Sequence, residues 1–168
     1  REAAGIHGQE GVQTQLVISA HRNPSHGYNV IGKNSQAKSG GIFVTAHVDS
    51  KKGTPGAIDN ATGVVTILLL AEMMEEYRGR VPVELVVLNG EDYYSTPGHL
   101  AYLQRNQQEL VSKRLNINID GVGLNRGATA LSSYNLPSAL QMPVDRLLRP
   151  YPDNTTDCLR SGTEAARS

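Results

Sequence analysis

Tryptophan is absent from this chain, phenylalanine occurs once, and aromatic residues make up 5% of it. So thin an aromatic complement excludes a stacking platform for bases. Cys158 is the single cysteine, so no disulfide closes within the chain and the redox compartment stays open. Charge of neither sign dominates, because 16 basic residues balance 16 acidic ones. Such a balance gives nucleic acid or an anionic membrane surface no field to follow, and neither is expected as a partner. Long apolar runs are missing as well. The longest, around Val64 to Ala71, falls far short of the roughly 20 residues a spanning helix needs, so no membrane span is expected. No secretory leader is visible, and a chain opening at Arg1 instead of Met is expected to be a processed form or a fragment.

What is present is ordinary for a folded domain. The 168 residues are 39% hydrophobic and include 17 glycines, enough for one domain with a sizeable core. Residues 1–13 lack periodicity and read as a frayed lead-in. Leu16, Val17 and Ile18 suggest a strand over residues 14–20. The turn residues between His21 and Gly27 then lead into an antiparallel partner over residues 28–31. Residues 34–41 read as a polar loop. Residues 42–46, apolar on both faces, suit a buried parallel strand.

Residues 62–77 predict a helix that is apolar almost all round through Val64, Val65, Ile67, Leu68, Leu69 and Leu70, and acidic from Glu72 onward. Such a helix belongs against a sheet. A strand over 83–88, a helix over 97–113 with Leu100, Leu103, Leu110 and Val111 inward, and a strand over 115–119 follow. This alternation predicts an α/β layered sheet with right-handed crossovers. Beyond it come a strand at 130–133 and a helix over 136–148 interrupted by Pro143. The stretch 153–168 is polar and aperiodic, and is expected to lie outside a domain formed by residues 1–152.

Polar residues gather at one topological address. His47 leaves the first apolar strand, Glu91 and Asp92 follow the second, and Asp120 ends the third. Asp59 lies on the Gly-rich loop between His47 and the first helix. Open α/β sheets bind ligands at the carboxyl ends of their strands, so these residues converge on one crevice. Singly, each has a plain reading: a structural histidine, a helix cap, a solvated acidic pair, a turn-starting aspartate. Together they match what zinc takes, imidazole nitrogen and carboxylate oxygen. In a two-metal site one carboxylate bridges ions about 3.5–4 Å apart. Asp59 is the candidate bridge, His47 and Asp120 hold one ion, Asp92 holds the other, and Glu91 stays free as a general base. Asp49 could accept a hydrogen bond from the His47 imidazole and orient it.

The motifs Ala46–Ser50, Pro55–Gly63, Asn89–Asp92 and Asn118–Gly123 resemble, in order and rough spacing, those of the co-catalytic zinc aminopeptidases. This is peptidase family M28, which includes bacterial leucyl aminopeptidase, glutamate carboxypeptidase and glutaminyl cyclase. The resemblance runs from about Tyr28 to Gly123. It implies a three-layer zinc-exopeptidase-like mixed sheet with helices on both faces. It also implies two zinc ions on His47, Asp120, Asp92 and the bridging Asp59, with Glu91 as base and proton shuttle, and a cis peptide between Asp59 and Asn60. The substrate class implied is a peptide or aminoacyl compound hydrolysed at its N-terminal residue. A carboxypeptidase, a glutaminyl cyclase and a catalytically silent binding domain are the alternatives on the same scaffold. A secreted or periplasmic location is slightly favoured, and the oligomeric state stays open.

Two departures stand out. The family often has Glu where this chain has Asp92. Its last histidine ligand, which follows the Asp120 motif, has no counterpart, because histidines occur here only at positions 7, 21, 26, 47 and 99. The C-terminal part of the domain is therefore expected to be missing or replaced. His99 reads as a helix-surface residue before it reads as a substitute ligand, and His21 and His26 read as loop residues.

Overall fold

The computed structural model describes residues 15–19, 21, 23–34, 40–93, 95–113, 115–125 and 130–150, and the backbone of 155–159. In chain order its elements are β1 (Val30–Lys33), β2 (Ile42–His47), a wide turn (Ala57–Ala61) running into α1 (Thr62–Met74), β3 (Val83–Leu88), α2 (Pro97–Arg105), α3 (Gln107–Leu110), β4 (Leu115–Asn118), β5 (Ala130–Tyr134), α4 (Ser138–Leu148) and β6 (Thr155–Leu159). The first four strands form one mixed sheet in the order β1-β3-β2-β4. β2 runs parallel to both β3 and β4, with His47 opposite Leu88 and Thr45 opposite Asn118. β1 is antiparallel to β3.

Alternation along the strands explains the layers. Val44 and Ala46 of β2 and Val83, Leu85 and Val87 of β3 face α1, where they meet Val64, Ile67 and Leu70. The opposite face presents Phe43, Val86 and Leu88 to Tyr102 of α2 and Leu110 of α3. β-branched residues with a period of two build the sheet, and the two helix layers close it on both sides. This is the expected α/β mixed sheet with helices on both faces.

Several expectations need correction. The apolar triplet Leu16, Val17 and Ile18 is exposed and unpaired, so described residues 15–19 contain no strand. β1 begins two residues later than expected and pairs with β3, since the described residues 15–19 offer it no strand. The helix expected over 97–113 breaks at Asn106, whose φ of −113° is not helical. Its inward residue is Tyr102, while Leu100, Leu103 and Val111 lie exposed. A strand at Thr155–Leu159 pairs in parallel with β5 in a second, two-stranded sheet, where aperiodic chain is expected. Residues 1–14, 35–39 and 160–168, on which other expectations fall, lie outside the described residues.

The helical stretch Ala57–Met74 is, by length and composition, apolar enough to cross a membrane, with a mean hydropathy of 1.4. The run is longer than the sequence reading allowed, because the wide turn adds Ala57 and Ile58 to α1. Non-helical torsions at Asp59 and Asn60 interrupt it. The inner face of α1 is the core of the sheet layer, while Val65, Leu68, Leu69 and Met73 are exposed.

Gly63 sets how closely α1 approaches β4. A Cβ there would lie 2.7 Å from the Ile119 carbonyl oxygen and against the Asn60 amide. Helix propensity alone favours alanine over glycine by about 1 kcal/mol. The backbone clash reverses the sign, so Gly63→Ala is expected to destabilise by about 1–3 kcal/mol in thermal unfolding.

Candidate metal centre

Parallel pairing puts the carboxyl ends of β2, β3 and β4 along one edge, with β2 in the middle. His47, the last residue of β2, is therefore flanked by the chain leaving β3 and the chain leaving β4. Backbone bonds hold this edge together: Val48 donates to Leu88 at 2.8 Å and Ile119 donates to Thr45 at 2.8 Å. The Thr45 hydroxyl donates to Asn118 Oδ1 at 2.7 Å and pins the end of β4.

The His47 ring is 2% exposed, and its Nδ1 lies 2.9 Å from the Asp49 carbonyl oxygen. A carbonyl only accepts, so Nδ1 carries a proton, and in the neutral ring Nε2 turns its lone pair to the crevice. Nε2 sits 2.9 Å from Asp59 Oδ1 and 3.5 Å from Asp120 Oδ1. Burial works against charging the ring. Glu91, the Asp49 carbonyl, Asp120 and Asp59 outweigh it and hold the imidazole above its ordinary value of 6.5.

Asp49 accepts the imidazole hydrogen bond as expected, but with its main-chain carbonyl. Its carboxylate is 3.7 Å from His47 Nδ1, too far to orient the ring. It turns to the loop after β3, where it accepts from the Gly90 amide at 2.7 Å, the Glu91 amide at 3.1 Å and the Asp92 amide at 3.0 Å. Burial raises the cost of its charge, but these amides prevail and hold the carboxyl below its ordinary value of 3.8. Gly90 has a φ of 90°, a conformation that glycine takes without penalty and that turns successive amides toward one anion.

Two asparagines, one expected only as a helix cap beside a cis peptide and the other given no role, tie the loops down. Asn60, 2% exposed, follows Asp59 across a cis peptide bond. Its Nδ2 donates to the Ile119 carbonyl at 2.9 Å, and its Oδ1 accepts from the Gly63 amide at 2.9 Å and the Gly121 amide at 3.3 Å. One side chain thus joins the Asp59 turn to the Asp120 turn. Asn29 donates to the Gly98 carbonyl at 2.8 Å and accepts from the Asn89 amide at 3.0 Å, closing the base of the loop that carries Glu91 and Asp92. Asn60 has a local signal, an Asx residue beside a helix start, which reads only as a cap. Asn29 has none, because its partners lie 60 or more residues away.

The donor set fits zinc, with one imidazole nitrogen among carboxylate oxygens. His47, Glu91 and Asp120 offer atoms within 4.8 Å of one another, and so do His47, Asp49 and Asp92. Asp49 spends both oxygens on amides, which leaves Asp92 as the free carboxylate of the second group. Asp59, the most exposed of the set at 63%, shares with Asp92, Lys51, Thr54 and Gly56 a cavity of about 200 Å³. A larger hollow of about 640 Å³ between Lys33, Met74, Tyr77 and Leu85 contains none of these ligands, so size does not mark the site. His99 stands outside both groups. Its Nε2 lies 3.4 Å from Glu91 Oε2, and its buried Nδ1 has no partner among the described residues. His21 and His26 are exposed and also lie outside both groups.

A family model described as Peptidase family M28 matches residues 29–164. A vacuolar membrane protease of Laccaria bicolor is 35% identical over 86 residues, which are 51% of this chain and 8% of that protein. Aminopeptidase YwaD of Bacillus subtilis is 29% identical over 83 residues, 49% of this chain and 18% of that protein. The structure of BSAP, a zinc aminopeptidase from Bacillus subtilis, superposes with a TM-score of 0.63 at 22% identity, covering 80% of this chain and 34% of its own. The chain therefore spans less than a fifth of these curated relatives and about a third of that solved structure.

Proposed function

The chain belongs to peptidase family M28, and from that premise we propose that it is a zinc-dependent exopeptidase, an aminopeptidase acting on N-terminal residues of peptides. The observation that carries this reading is the His47 ring. Its Nδ1 is spent on a carbonyl and its Nε2 is aimed between Asp59 and Asp120, with Glu91 beside them. His47 and Asp120 would hold one zinc ion, Asp92 a second, and Asp59 would bridge the two. When bound, the ions supply Lewis acidity toward the scissile carbonyl and the attacking water. Glu91 takes the proton of that water and passes it to the leaving amine, a task suited to a carboxylate whose backbone amide is anchored by Asp49 and whose side chain stands beside His47. The small cavity beside Asp59 and Asp92 is where the residue next to the scissile bond would sit. The names of the relatives support a peptide substrate and a location outside the cytosol.

Glu91→Gln is expected to lower kcat for an aminoacyl chromogenic substrate by at least about 100-fold, the scale of a general base, with zinc content unchanged. Equal activity in wild type and Glu91→Gln overturns the assignment. A second reading is a catalytically silent binding domain of the same fold. Zinc uptake without hydrolysis of aminoacyl, C-terminal or N-terminal glutaminyl substrates selects that reading. Hydrolysis at the C-terminus selects a carboxypeptidase, and cyclisation selects a glutaminyl cyclase.

A further inference from the structure

Glu91 lies between two imidazoles. On one side is His47, which with Asp120 offers an atom within 4.8 Å of it. On the other is His99, in the first turn of α2, whose Nε2 lies 3.4 Å from Glu91 Oε2. His99 belongs to neither group of candidate metal ligands, so its ring faces the carboxylate and not the proposed ions. One closed stretch of chain carries both side chains. The Gly98 amide donates to the Asn89 carbonyl at 2.9 Å, and the Asn29 side chain bridges the same two residues. Pro97 packs against Gly90, where a Cβ would lie 2.5 Å from the proline ring. The first turn of α2 is therefore fixed on the base of the loop, and the Glu91 amide is fixed from the other side by Asp49.

We infer that His99 is a positioning residue for Glu91, donating from Nε2 to Oε2 and leaving the other oxygen for the attacking water. The role of Glu91 as base rests on the peptidase reading, but the pairing of the two side chains does not. A carboxylate only accepts, so the proton belongs on Nε2. The opposite tautomer would set a lone pair against the carboxylate. It would also strand an N–H at Nδ1, which is buried and has no partner among the described residues. Catalytic hydrogen bonds are often long before substrate arrives and tighten on binding, and 3.4 Å is such a distance. Holding one oxygen removes the side-chain rotamers that would turn the base away from the water.

The pairing is read first, in proton–nitrogen correlation spectra of the histidine side chains of metal-free protein. The His99 Nε2 proton is expected to be visible in wild type and to exchange too fast to be seen in Glu91→Ala. No such signal in wild type, or one that survives Glu91→Ala, overturns the inference. Kinetics then read the role. His99→Leu removes the donor and is expected to lower kcat for the aminoacyl chromogenic substrate on the order of 10-fold with KM unchanged, part of the loss expected for Glu91→Gln. His99→Gln, which returns an N–H near the position of Nε2, is expected to recover most of that loss. In the Glu91→Gln background His99→Leu is expected to cost nothing further, because the two side chains act as a unit. A glutamine variant as slow as the leucine variant, or additive losses, overturns the inference. Zinc uptake by His99→Leu, in calorimetric titration with zinc alone, is expected to match wild type. Weakened uptake would make His99 part of the metal centre and overturn the inference as well. A wild type that hydrolyses none of the substrates sinks the peptidase reading, and the spectra then decide the pairing by themselves.

Discussion

Lys113→Met is expected to cost the folded chain about 3–5 kcal/mol in urea unfolding, the penalty for stranding a buried charge. The stranded group is Glu84. It stands on β3, on the face that packs against α2, with its side chain 2% exposed and that of Lys113 5% exposed. Lys113 Nζ lies 2.8 Å from one carboxylate oxygen, and the Tyr102 hydroxyl donates to the other at 3.0 Å. Lys33, at 3.6 Å and partly exposed, completes the set and also reaches Glu109 at 3.2 Å. That outer pair is worth little by itself.

The two inner partners matter together. Replacing the whole set, Glu84→Leu with Lys113→Met and Tyr102→Phe, is expected to be near neutral or stabilising, since an apolar cluster incurs no ionic desolvation. A triple variant as unstable as Lys113→Met would show that the cluster's worth lies in packing.

The same cluster gives the chain an acid limb. Burial penalises the charged form of Glu84, but Lys113 and Tyr102 overcome it and hold the carboxyl below its ordinary value of 4.5. As pH falls, the unfolded chain therefore takes up the proton first. The contribution is complete above pH 4.5 and is lost as pH drops through the lower folded value. In Lys113→Met burial is opposed only by the Tyr102 hydroxyl and the more distant Lys33, and the acid midpoint of unfolding is expected to move upward.

The second large effect concerns zinc. Adding it at 100 times its dissociation constant is expected to stabilise the folded state by about 2.7 kcal/mol, which for a chain of this size is about 5–10 °C in Tm. Without the ion, Asp59, Asp120 and Glu91 gather around one buried imidazole. His47→Ala is expected to abolish the shift in differential scanning fluorimetry, and Glu91→Gln to retain it, because Glu91 does not ligate in the proposed site. An undiminished shift in His47→Ala would place zinc elsewhere on the chain.

These two regions differ in how far they could be read in advance. The candidate metal centre could be read because His47, Glu91, Asp92 and Asp120 stand just past apolar runs, and the rule that parallel strands present their carboxyl ends together needs no side-chain detail. Glu84 could not. It lies within Val83–Leu88, a strand marked by its valines and leucines, where a lone acid at an alternate position looks solvent-facing. Only the arrival of Tyr102 and Lys113, 18 and 29 residues away, turns that face into an interior. Residues 15–19 err the other way: they have the residues of a strand but pair with none of the described strands.

Local pattern by itself determined the strands β2, β3 and β4, helix α1, and the residues able to meet at one edge. These follow from apolar periodicity, which acts over a few residues. The tertiary structure decided the strand order β1-β3-β2-β4, the buried Glu84 cluster, and the division of labour at Asp49. Those depend on which donor meets which acceptor across 40 or more residues of chain, or on which face a helix covers. Steric fit settles such choices, and no short stretch of sequence carries them. His47 and Asp120 could be named as partners from the sequence, whereas the three amides that claim the Asp49 carboxylate could be found only in the fold.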